Sequence, residues 1–80
     1  MIKKWFEIIA AGSSKTLESV TSLLIELGSP SILESDENGK KVLKAYIPID
    51  SSLDAKISLL KNRLKAYKWT YQGSMFKDKD

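Results

Sequence analysis

Eighty residues allow one domain around one compact core. The chain has no cysteine and no histidine, which excludes thiol nucleophiles, disulfides, Cys/His metal sites and imidazole acid–base chemistry. The net charge of +3 is unevenly spread: residues 1–50 carry six lysines against seven acids, and residues 51–72 carry five bases against Asp54 alone.

In chain order, Lys3 to Ala10 predicts a first strand, because aromatic and β-branched residues dominate it. Alternation puts Phe6, Ile8 and Ala10 on one, wholly apolar face. Trp5, Glu7 and Ile9 fall on the other, where a large aromatic stands beside a carboxylate. Gly12-Ser13-Ser14 breaks the strand, and Ser13 or Ser14 is placed to cap a helix. Leu17, Val20, Leu24 and Leu27 then repeat at helical spacing, with Leu23 at the edge of the stripe. Gly28 follows where a helix C-cap wants positive φ, and Pro30 stops the helix from continuing. Ser31 to Ser35 predicts a short edge strand and Asp36-Glu37-Asn38-Gly39 a turn. Lys40 to Ile47 predicts a third strand, with Leu43, Ala45 and Ile47 core-like and Val42, Lys44 and Tyr46 opposite. Ser51 with Asp54 has the pattern of a capping box. Leu53, Ile57, Leu60, Leu64 and Tyr67 form a second helical stripe. Lys68 to Gln72 predicts a short fourth strand ended by Gly73. Residues 74–80 predict a linker or frayed tail beyond a domain of residues 1–73.

The order β-α-β-β-α-β predicts an α+β, ferredoxin-like plait: a four-stranded antiparallel sheet with both helices on one face. The first and third strands then lie side by side in the centre. Trp5, Glu7, Lys44 and Tyr46 share the face that no helix covers, where Glu7 can pair with Lys44 across the strands. These four residues are the candidate protein-binding face. The bases Lys56, Lys61, Arg63 and Lys65 form a candidate basic patch with Tyr67 and Trp69 nearby, although the helical wheel splits them over both flanks of the apolar stripe. Gly12-Ser13-Ser14-Lys15-Thr16 lacks the spacing of a phosphate loop and predicts a helix cap. Glu34, Asp36 and Glu37 predict a solvated turn rather than a cation site. No nucleophile–base or carboxylate pair is visible, so no catalytic, cofactor-binding or metal residue is expected. No apolar run approaches the roughly 20 residues of a membrane helix, and no signal peptide follows Lys3 and Lys4. A cytoplasmic domain is the expectation.

Lys4-Trp5-Phe6-Glu7-Ile8, Leu23-Leu24-Ile25-Glu26-Leu27-Gly28-Ser29 and Val42-Leu43-Lys44-Ala45-Tyr46-Ile47-Pro48 occur in that order over nearly the whole chain. Together they resemble the N-terminal domain of the ribosomal protein L-eleven methyltransferases, the PrmA family. Ser29 and Ile47 depart from the Ala and Phe of that pattern, and Pro30-Ser31 replaces a Gly-rich step. The resemblance implies a substrate-recognition domain that binds and presents a large-subunit ribosomal protein without catalysis of its own. It implies a partner catalytic domain beyond Asp80 that uses S-adenosylmethionine to methylate amino groups of the target, so no cofactor is expected in these 80 residues. Two other classes compete: an RNA-binding module built on the basic helix and sheet aromatics, and a small-molecule regulatory domain of the ACT kind. Phosphate-driven binding would fall steeply with salt, which separates the RNA-binding class from protein recognition.

Overall fold

The structure is a computed structural model and describes residues 4–77. Strand β1 (Lys4–Gly12) is followed by a short 3₁₀ turn (Ser14–Thr16) and helix α1 (Leu17–Glu26). Strands β2 (Ile32–Glu37) and β3 (Lys40–Pro48) form a hairpin, and helix α2 (Leu53–Ala66) leads to strand β4 (Thr70–Lys77). The sheet is antiparallel in the order β2-β3-β1-β4, which is the expected ferredoxin-like plait. Lys3, where the sequence pattern begins the first strand, lies outside the described residues, as do residues 78–80. Among the described residues no helix is long and apolar enough to cross a membrane.

The core forms where the alternation of the strands meets the helical stripes. Ile8, Ala10, Leu43, Ala45 and Ile47 from the sheet pack with Val20, Leu23, Leu24 and Leu27 of the first helical segment and Leu60 and Leu64 of α2. Burial of this single apolar cluster supplies the main driving force for folding. Register places Ile8 opposite Ala45 and Ala10 opposite Leu43, so both central strands send the same parity of residue to the helices.

Both helices end in the same motif. After α1, Ser29 N–H bonds to Leu24 C=O and Gly28 N–H to Ile25 C=O, with Gly28 at φ +105°. After α2, Trp69 N–H bonds to Leu64 C=O at 2.8 Å and Lys68 N–H to Lys65 C=O at 3.1 Å. Here the left-handed position is held by Lys68, at φ +62°. A side chain in that region carries backbone strain that glycine does not.

Four local expectations change. The hairpin turn is only Asn38-Gly39, both at positive φ, and Asp36 and Glu37 belong to β2. Their pairing with Lys41 and Lys40 extends the strand, and Lys41 Nζ lies 2.9 Å from Asp36 and 3.3 Å from Glu34. α2 starts without a Ser51–Asp54 box: its N-cap residue is Ser52, which makes no side-chain cap bond, and Asp50 instead fixes the turn that leads into the helix. Asp50 Oδ1 accepts the Ser52 N–H at 2.8 Å and the Ser52 hydroxyl at 2.5 Å, and these bonds hold its carboxyl below the usual range. Trp69 belongs to the core. It is 5% exposed, and its indole N–H donates to Thr16 Oγ1 at 2.6 Å. Finally, Gly73 does not end β4: residues 74–77, expected as the start of a linker, are strand paired with β1. Glycine is required there by close approach, because a Cβ on Gly73 would overlap the Phe6 ring. Gly12 is required in the same way by the Trp69 ring.

Ser29 has a specific structural role. β2 begins at Ile32, opposite Ala45, so it does not reach Tyr46. The buried Ser29 side chain fills the gap: its oxygen accepts the Tyr46 N–H at 3.3 Å and its hydroxyl donates to Ser31 C=O at 2.7 Å. We expect Ser29→Ala to lower the unfolding free energy by about 1–3 kcal/mol, because it leaves the Tyr46 N–H without its partner. Gly12→Ala is expected to lower it by about 1–3 kcal/mol through overpacking against Trp69. Urea titration followed by tryptophan fluorescence checks both.

Candidate functional site

The open face of the sheet carries the residues singled out by alternation. β1 contributes Trp5, Glu7, Ile9 and Ala11, and β3 contributes Val42, Lys44 and Tyr46. All seven are half-buried. Leu33, opposite Lys44 on β2, is 62% exposed. The structure therefore brings Trp5, Glu7, Lys44 and Tyr46 onto one face. Their bonding differs from the expected Glu7–Lys44 pair. Glu7 stands directly opposite Tyr46, and the tyrosine hydroxyl donates to Glu7 Oε2 at 2.8 Å. The Tyr46 N–H points away from β1 toward Ser29, so Glu7 and Tyr46 form a non-hydrogen-bonded backbone pair, the kind whose side chains come closest. Lys44 stands opposite Ile9 instead. Among the described residues no ion pair joins Lys44 to Glu7.

The bases of α2 are not gathered into one patch. Lys56 lies 3.8 Å from Asp50 at the start of the helix. Arg63 lines a groove between the helices with Glu18, Glu26 and Tyr67. Lys61 and Lys65 are exposed. Trp69, expected to accompany these bases, is buried in the core, whereas Tyr67 is half-buried and lines the groove beside Arg63.

A second site lies at one end of the sheet and was not apparent from the sequence. The end of β1, the β2–β3 turn and the α2–β4 connection meet there around a pocket of about 350 Å³. Gly12, Ser13, Ser14, Gly39, Lys40, Lys68 and Thr70 line it together with Ala11. Two lysines, three hydroxyl-bearing residues and two glycines line this one concavity, a composition that favours an anion. Neither Lys40 nor Lys68 has an ion-pair partner among the described residues. The sequence signal for this site was Lys68, a non-glycine residue just past the apolar stripe of α2. The three contributing segments are far apart in the chain, so no local motif joined them. The acids at the hairpin do not form a cation site: Glu34 and Asp36 are engaged by Lys41, and among the described residues no group of three or more potential ligands could hold a metal ion.

No family model matches the chain, and no curated protein matches it. Solved structures do. A nitrogen regulatory PII-like protein, CPII from Thiomonas intermedia K12, bound to ADP, AMP and bicarbonate, matches with a TM-score of 0.75 at 10% identity, over 100% of this chain and 96% of that one. Its apo form matches with a TM-score of 0.73 at 9% identity, over 98% and 95% of the two chains. A formyltetrahydrofolate deformylase from Pseudomonas putida KT2440 matches with a TM-score of 0.65 at 17% identity, over 89% of this chain and 28% of that longer one. At these identities the shared property is the fold.

These matches overturn the resemblance to the PrmA methyltransferases and the substrate-recognition role it implied. Two of the three motifs behind it have local physical explanations. Leu-Gly closes α1 because Gly28 occupies the left-handed cap. Ile47-Pro48 ends β3 where β2 no longer runs alongside. Ser29, the departure from the family's Ala, carries a hydrogen bond that Ala could not make. The expected S-adenosylmethionine and ribosomal-protein partner rested on that resemblance alone.

The Tyr46–Glu7 bond holds the tyrosine hydroxyl above its ordinary pKa of 10.0, first through the hydrogen bond to Glu7 and then through partial desolvation. A raised folded-state value means that the protonated tyrosine stabilises the fold fully below pH 10 and that this contribution is lost as pH rises through the folded pKa. We expect the Tyr46 absorbance transition to come later than that of an exposed tyrosine and Glu7→Gln to move it back toward 10. Spectrophotometric titration, with Tyr46→Phe to assign the signal, checks this.

Proposed function

We propose that this chain is a small-molecule-binding regulatory domain that takes a phosphate-bearing anion at the pocket formed by Gly12–Ser14, Lys40 and Lys68. The observation that carries the reading is the pair of lysines converging on one concavity from the β2–β3 hairpin and the α2–β4 connection. Lys68 adds weight. It occupies a left-handed cap position that Gly28 fills at the matching end of α1, so a stable helix end has been given up for an ammonium group beside the pocket. The volume falls at the small end of ligand sites, suited to a phosphate and a compact body. The PII-like neighbour was solved with ADP and AMP, which makes adenine nucleotides the first ligands to try. A cytoplasmic location, expected from the sequence, belongs to the same proposal.

The test is an NMR titration of the chain with ADP, AMP, inorganic phosphate and bicarbonate in parallel. Saturable shifts at the amides of Gly12, Ser13, Ser14, Lys40 and Lys68 are expected with the phosphate-bearing ligands. A charge-assisted hydrogen bond contributes about 1.5–3 kcal/mol, so Lys40→Ala should weaken binding by roughly ten- to a hundredfold. Lys68→Gly should weaken binding similarly while raising unfolding stability by about 1 kcal/mol through relief of the left-handed strain. Absence of saturable shifts at these amides with all four ligands would reject the reading.

A further inference from the structure

The open sheet face has two properties that pull in opposite directions for a surface left in water. Trp5, Ile9, Val42 and Tyr46 form an apolar band over the central strands, and Leu33 extends it onto β2 at 62% exposure. Among the described residues no element of this chain covers that face; both helices pack on the other side. At the middle of the band stand one acid and one base. Register puts Glu7 opposite Tyr46 and Lys44 opposite Ile9, so the two are diagonal neighbours on adjacent strands, about 7–8 Å apart at Cα. They are not bonded to one another, and Glu7 retains acceptor capacity beyond its bond from Tyr46.

A face with an opposite-charge pair at its centre is complementary to itself. A two-fold axis parallel to the sheet and just above its open face lays one copy over the other so that Glu7 of each meets Lys44 of its partner, twice, within a shared apolar surround. That is the isologous contact by which most dimers form. The breadth suffices: the molecule measures 39 × 25 Å across its two longer axes, whereas a standard interface buries about 800 Å² per partner. We propose that the open face is the docking surface for a second copy of this chain, paired through reciprocal Glu7–Lys44 contacts. The contact uses neither Lys40 nor Lys68, although the open face adjoins the anion pocket at Ala11.

The experiment is a charge swap read by sedimentation equilibrium and native mass spectrometry. The wild-type chain should be a dimer whose fraction rises with concentration. Glu7→Lys and Lys44→Glu alone should each set like charges against one another across the two-fold and weaken dimerisation tenfold or more. Mixed in equal amounts, the two variants should restore a species containing one chain of each, because both contacts are again opposite in sign. Circular dichroism establishes that each variant is folded. If Glu7→Lys loses its fold, Leu33→Asp takes its place and should abolish the dimer by burying a charge in the apolar band. A wild-type chain that stays monomeric at all concentrations overturns the proposal. So do folded variants that dimerise as well as wild type, a mixture that remains monomeric, or an assembly of three copies in place of two.

Discussion

Everything in this molecule depends on β1 being paired along both edges. It stands between β3 and β4 with eight register partners on each side, so its backbone polar groups are satisfied and its two faces are presented to two different environments. One face supplies Ile8 and Ala10 to the core, both fully buried. The other supplies Trp5 and Glu7 to the open side. A single residue of slippage would exchange these sets and place Glu7 under the helices. The close approaches at its ends oppose such a slip. Gly12 lies beneath the Trp69 indole, and Gly73 lies beside the Phe6 ring.

The two helix ends use one motif with two different residues. α1 closes on Gly28, the residue that a left-handed cap prefers, and then uses the Ser29 hydroxyl to complete the hydrogen bonding of β3. α2 closes in the same motif on Lys68, which the motif does not prefer. The core side of α2 is ordinary, with Leu60 and Leu64 buried, so packing does not require lysine there. Lys68 lines the same pocket as Lys40 and the Ser13–Ser14 turn. The lysine pocket and the open face thus lie on parts of the sheet that the core does not use, which is where binding residues can vary without loss of the fold.

The resemblance to a methyltransferase domain failed for an instructive reason. Its motifs were a strand opening with an aromatic and an acid, a helix ending in Leu-Gly, and a strand ending in Pro. The last two are what a β-α-β-β-α-β chain needs to turn corners, and the first is an ordinary strand with one face turned from the core. Motifs that encode corners report the fold, and the fold is what the PII-like structures share with this chain at 9–10% identity. The residues that could distinguish functions are elsewhere: Lys40 and Lys68 at one end of the sheet, and Glu7 with Lys44 on its open face.

By itself the sequence determined the element order, both helical stripes, the inward parity of β1 and β3, and the grouping of Trp5, Glu7, Lys44 and Tyr46 on one face. These follow from periods of 2.0 and 3.6 residues and from Gly, Pro and Asn-Gly at the corners, all of which are local. Tertiary structure decided the rest. Trp69 became a core residue because Gly12 opens space for its ring and Thr16 accepts its N–H. β4 ran on through Gly73 because β1 offered backbone partners as far as Lys4. Glu7 took Tyr46 in place of Lys44 because register set them directly opposite. Lys40 and Lys68 became neighbours because antiparallel pairing brings the start of β3 and the start of β4 to the same end of the sheet. Each of these outcomes depends on contacts between segments distant in the chain, and no local period or propensity carries that information.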